Sequence, residues 1–152
     1  MSVTRRHVLT FALIAPVAAA FASRAIAATP EVYAEGGIAV DGTDVVGYFT
    51  DGAPVVGDPA ITHDYMGVTW QFSTEANRDA FAADPAAYAP QYGGYCAYAV
   101  SQGYTASTVP EAWSIVDDKL YLNFSTRVRR RWARDIPGHI ALADANWPAV
   151  LS

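Results

Sequence analysis

Apolar and polar residues alternate strictly over Ile61-Thr62-His63-Asp64-Tyr65 and again over Val68-Thr69-Trp70-Gln71-Phe72. A period of two predicts half-buried strands, and Met66-Gly67 between them predicts a hairpin turn. Side chains two apart share a face. Ile61, His63 and Tyr65 therefore form one row, and Val68, Trp70 and Phe72 another, with His63 expected on the inward side. A second hairpin is predicted from Ala112–Val116 and Lys119–Asn123 around Asp117-Asp118. Shorter apolar runs at Ile38-Ala39-Val40 and Val55-Val56 read as brief strands. Asp44–Phe49 reads as a strand or one helical turn, and Ala28–Gly37 as a loose polar lead-in.

Elsewhere the spacing becomes helical. Ser73 or Thr74 caps a helix with Glu75 in its first turn and Ala76, Ala80, Phe81 and Ala83 along its apolar stripe. Asp84-Pro85 ends it and starts one further turn to Tyr88, and Pro90 stops that. Ser125 caps a helix to about Asp135. Pro137 opens another, which runs to about Asn146 with Trp147 packed at its end. The fold class expected is α+β, small antiparallel hairpins with short helices packed against them.

Gln91–Gly103 is the stretch with the most chemistry in it. It holds the only cysteine, Cys96, with Tyr92, Tyr95 and Tyr98 spaced three apart. Gly93 and Gly94 let the backbone bend or approach another segment closely. Tyr95–Gln102 predicts a short helix with Gly103 as its C′ residue, which places Cys96 in the first turn. Free N–H groups and the helix dipole favour negative charge there, so the thiol is expected below its ordinary pKa of about 8.5. A thiolate is both nucleophile and metal ligand, so Cys96 is the candidate catalytic group. The plainer alternative is a small buried apolar residue. His63 likewise has two readings: a hydrogen-bonded core residue, or a ligand or acid–base partner. His139, at a helix start, is expected to be solvated.

Residues 1–27 read as an export signal rather than as part of the fold. Thr4-Arg5-Arg6-His7-Val8-Leu9 is a twin-arginine pattern, Val8–Ala22 an uncharged apolar run, and Ala25-Ile26-Ala27 a small-x-small cleavage site. The run is shorter than the roughly 20 residues a spanning helix needs. The expectation is a periplasmic protein with no stable membrane anchor and one domain over residues 28–152. That domain holds seven basic and fifteen acidic residues, a formal charge of −8, which gives no electrostatic reason to bind nucleic acid. The run Arg127-Val128-Arg129-Arg130-Arg131-Trp132-Ala133-Arg134 is the exception; it reads as a solvated helix, its arginines too spread around the circumference for one groove-binding face and paired with nearby acids. One cysteine excludes an internal disulfide. No HExxH, GxSxG or phosphate-binding glycine loop is present.

The span Phe72-Ser73-x-x-x-Asn77-x-x-x-Phe81-x-x-Asp84-Pro85-x-x-Tyr88 resembles the core motif of the YHS domain family. Tyr92–Gly103, Trp113, Lys119–Asn123 and Asn146-Trp147-Pro148 resemble the continuation of its exported bacterial branch. The resemblance covers almost all of residues 28–152. Metal-linked family members carry cysteines at the positions of Ser73 and Asn77 and a third upstream, where this chain has Asp44-Val45-Val46-Gly47. A thiolate site of that design therefore does not carry over. Relatives of the exported branch are described with selenocysteine, which the resemblance would align with Cys96.

Three functions follow as expectations. In the first the chain is a metal-binding, copper-handling accessory protein with Cys96 and His63 as ligands, since sulfur and imidazole suit copper(I), and Tyr92, Tyr95 and Tyr98 shield the metal. The second is a thiol-dependent redox protein with Cys96 as thiolate. The third is a non-catalytic module that binds another exported protein.

Overall fold

The computed structural model describes residues 27–152, so the twin-arginine and apolar segments of the expected signal fall outside the described residues. Two short strands come first, β1 (Ala34–Glu35) and β2 (Ile38–Ala39), then one helical turn, α1 (Gly47–Thr50). The alternating stretches form the predicted hairpin, β3 (Asp58–Tyr65) and β4 (Val68–Phe72), with His63 opposite Trp70 and Tyr65 opposite Val68. The sheet order is β1-β2-β4-β3.

The class is α+β, but the sheet is not built from antiparallel hairpins alone. β2 runs parallel to β4, with Ile38 beside Thr69. The intervening chain, with α1 and β3, supplies the long crossover that a parallel pair needs. β2 covers the edge of β4 that β3 leaves bare.

α2 (Glu75–Ala83) follows β4. Thr74, not Ser73, is its cap: the Thr74 hydroxyl accepts from the Asn77 amide at 3.1 Å. The Phe81 ring of α2 is fully buried and meets His63, Tyr65, Trp70 and Phe72 at centroid distances of 5.0–6.0 Å. One helix is thus fixed to the hairpin by a single aromatic knob, and burying a side chain of this size contributes about 1.5–3 kcal/mol.

α3 (Pro85–Tyr88) and α4 (Ala97–Ser101) lead to the second hairpin, β5 (Trp113–Val116) and β6 (Lys119–Leu122). α5 (Thr126–Trp132) is capped by Ser125 and α6 (Ile136–Asn146) by Asp135, each through a side-chain oxygen. α4 packs against α6 and, more lightly, against α5. No helix among the described residues is long and apolar enough to cross a membrane.

The lead-in is more ordered than its polarity predicts. Val32 and Tyr33 are buried. The Tyr33 amide donates to the Gly93 carbonyl at 2.9 Å, the Tyr95 hydroxyl to the Pro30 carbonyl at 2.8 Å, and the Thr29 amide to the Leu151 carbonyl at 3.1 Å. The same approach explains Gly93. Gly93 has φ +62°, and a Cβ there would collide with the Glu31 carbonyl oxygen.

Candidate functional site around Cys96

Cys96 is the cap of α4 rather than a residue of its first turn. Its φ/ψ of −58°/116° is non-helical, and Sγ accepts from the Ala99 amide at 3.5 Å, as a serine oxygen would in an N-cap. The loop before it is pinned by two further bonds, the Cys96 amide to the Ala106 carbonyl at 3.0 Å and the Thr108 hydroxyl to the Gly94 carbonyl at 2.8 Å.

Asn123 decides the protonation state. The Tyr98 amide donates to Asn123 Oδ1 at 3.1 Å, which fixes that end of the side-chain amide as the oxygen. The same oxygen lies 3.5 Å from Cys96 Sγ, so the sulfur must donate its proton to it. A thiolate would instead face oxygen lone pairs. Asn123 is fully buried, and its Nδ2 has no acceptor among the described residues.

Burial pushes the Cys96 thiol up, against the pull of the Ala99, Phe124 and Tyr98 backbone amides. The depressed pKa expected from the helix start is therefore corrected. The amides are present, but desolvation outweighs them, because only 1 % of the residue is exposed.

The three tyrosines do not converge on the sulfur. The Tyr92 hydroxyl donates to Asp144 Oδ1 at 2.8 Å, and that of Tyr95 reaches the lead-in. Tyr98 lies edge-on to His139 at 5.2 Å, under the Arg131 guanidinium at 5.8 Å. His139 is half-buried rather than solvated. The Ser101 hydroxyl donates to the Tyr98 carbonyl at 2.6 Å, so its oxygen, 3.2 Å from His139 Nδ1, accepts the imidazole proton. This serine–histidine pair is oriented for holding α4 on α6, with the hydroxyl proton directed away from the imidazole.

His63 is half-buried on the inward row of β3, with its ring against Phe81. No hydrogen bond or ring contact links it to Cys96, whose neighbours are Asn123, Ala99 and the cleft described below. Copper(I) needs its donors aimed at one point, and these two have separate surroundings. No group of three or more His, Cys, Asp or Glu side chains among the described residues could hold a metal ion.

Beside Cys96 opens a cleft of about 270 Å³, lined by Cys96, Tyr98, Tyr104, Phe124, Val128 and Arg131 together with Ala99 and Ala106. Tyr104 and Phe124 are about half exposed at 53 % and 52 %.

A second polar centre escaped the sequence reading. Asp44 is fully buried without a cationic partner among the described residues. Oδ1 accepts from the Val46 and Gly47 amides at 3.0 and 3.3 Å. Oδ2 accepts from the Ser73 amide and hydroxyl at 2.8 and 2.6 Å and from Asn77 Nδ2 at 2.8 Å. Five donors satisfy the carboxylate where an ion pair would be expected. Ser73 and Asn77 thus gather with the Val46 and Gly47 amides around one carboxylate. The available signal was an acid set in the apolar run Val45-Val46-Gly47-Tyr48-Phe49 with no basic residue near it in sequence. No family model, curated protein or solved structure matches the chain.

Proposed function

We propose that the chain is a non-catalytic binding module on a YHS-like scaffold, exported to the periplasm, whose working surface is the cleft beside Cys96. The observation that carries this reading is the state of the thiol. Cys96 caps α4 and donates its proton to Asn123, so the sulfur holds the cleft wall in shape and is not presented as a nucleophile. The cleft itself is apolar and keeps two large aromatic side chains half in solvent, as binding surfaces do.

The copper-handling reading calls for Cys96 and His63 to act together, and the thiol-redox reading calls for an accessible thiolate. Two measurements separate all three. Iodoacetamide should modify native Cys96 far more slowly than the urea-unfolded chain. Copper(I) titration against a competing chelator should give the same weak binding for wild type, Cys96→Ser and His63→Ala. Rapid alkylation of the native protein would restore the redox reading. One tight equivalent of copper(I), weakened about tenfold in each variant, about 1.4 kcal/mol, would restore the metal reading.

A further inference from the structure

Residues 28–152 contain seven basic side chains, and five of them are Arg127, Arg129, Arg130, Arg131 and Arg134 on or just after α5. All five are exposed. The expected pairing with nearby acids is not found. Among the described residues the only ion pair is Arg78–Asp79. Arg129 turns toward the second hairpin and donates to the Ser114 hydroxyl at 2.9 Å. Arg127, Arg130 and Arg131 stand at i, i+3 and i+4 and so share one helical face, narrower than the spread read from the sequence. That face adjoins the cleft, because Val128 and Arg131 of the same helix line it and Phe124 stands just before the helix. An otherwise acidic domain thus concentrates its positive charge, without carboxylate partners, next to its exposed aromatics.

We infer that the cleft and the arginine face of α5 together bind an acidic segment of a partner protein, with an apolar side chain in the cleft and carboxylates along Arg131, Arg130 and Arg127. The inference deepens the binding-module reading and rests on it. Guanidinium groups take carboxylates in bidentate pairs, and a row of them extends past the cleft, so the ligand must carry several charges along its length. The cleft volume of about 270 Å³ suits one side chain rather than a whole cofactor. A concave cleft is filled by an inserted group and gains little from lying against lipid. The net charge of the domain opposes an anionic bilayer outside this one face.

The test uses the purified chain and a fluorescein-labelled peptide, EDEFDE, followed by fluorescence anisotropy. Saturable binding is expected, weakened about tenfold or more when the phenylalanine of the peptide is replaced by glycine and abolished when its acids are replaced by lysine. The variant Arg127→Glu/Arg130→Glu/Arg131→Glu, whose side chains are exposed, should keep its far-UV circular dichroism and lose binding. Phe124→Ser, also at an exposed site, should weaken it about tenfold. Amide shifts in an NMR titration should fall on Tyr104, Phe124 and Val128. No binding, equal binding by the charge-reversed variant, or tighter attachment to phosphatidylglycerol vesicles than to the peptide would overturn the inference. With native Cys96 still slow to alkylate, those results leave the binding-module reading standing. Fast alkylation of native Cys96 removes that reading itself.

Discussion

Asp44 holds Ser73 twice through one oxygen, taking the backbone amide at 2.8 Å and the hydroxyl at 2.6 Å. The bond ties the entrance of α1 to the junction between β4 and α2. Asp44→Ala would leave five donors without their acceptor, two of them the buried Val46 and Gly47 amides, and losing a buried, fully bonded acceptor of this kind costs about 3–5 kcal/mol. Urea unfolding should show that loss. Ser73→Ala removes one bond only and should cost about 1–3 kcal/mol. If Asp44→Ala unfolds at the wild-type midpoint, the carboxylate is not the organising group described.

Cys96 should tolerate oxygen better than it tolerates loss. Serine is a favoured cap residue, and its hydroxyl can donate to Asn123 as the thiol does, so Cys96→Ser should stay within about 1 kcal/mol of wild type. Cys96→Ala loses the cap and leaves a small void, and should cost about 1–2 kcal/mol. Thermal or urea melts of the two variants rank them directly. An alanine variant as stable as the serine one would mean that the capping bond contributes nothing.

Alkali should unfold the protein through its tyrosines. Burial is the first cause that raises Tyr33, Tyr48, Tyr92, Tyr95 and Tyr121, and neighbouring carboxylates add to it for all but Tyr95. A phenol raised in the folded state favours folding fully while pH is below the unfolded value of about 10. That contribution falls as pH climbs from there toward the folded values, because the unfolded chain then releases protons that the folded one retains. Absorbance near 295 nm should therefore show these five phenols ionising only in step with loss of circular dichroism. Smooth titration of all nine near pH 10, with the fold intact, would contradict the packing.

Gly93→Ala should cost more than about 1 kcal/mol, since the substitution meets both a positive φ and the Glu31 carbonyl. The loss should concentrate in the lead-in, so hydrogen exchange at the Tyr33 amide should accelerate while the amides of the β3–β4 hairpin change little. Uniform acceleration across the domain would show that the contact is not local.

Both hairpins and the caps of α2 and α5 were legible because they depend on neighbours in sequence. Alternation set β3 and β4, and Thr74 and Ser125 stand where a side-chain oxygen can reach an amide three residues on; Asp135, the cap of α6, was legible only as the end of α5. The lead-in was misread because its order comes from Gly93 and Leu151, far away in the chain. Cys96 was placed within one residue, and of its two readings the surroundings favour the buried thiol over the thiolate. A helix start argues for a thiolate, and only the packed surroundings and the orientation of Asn123 argue for a thiol. The arginine run was misjudged for a related reason. Pairing with acids depends on which carboxylates fold close to α5, and no local pattern reports that.

Thr29 meets Leu151 and Tyr33 meets Gly93 across long stretches of sequence. Hairpins close over a few residues and form early, whereas contacts between distant segments wait for the slower closure of a long loop. The first described residues dock on the last ones, so this seam is expected to close last and to open at a lower free energy than the hairpins. An opened seam uncovers the Tyr95 ring and the Gly93 carbonyl while leaving the hairpins and the Cys96 cleft in place. A protease that cuts within residues 28–37 would therefore report the opening of this one latch, at a free energy below that of global unfolding.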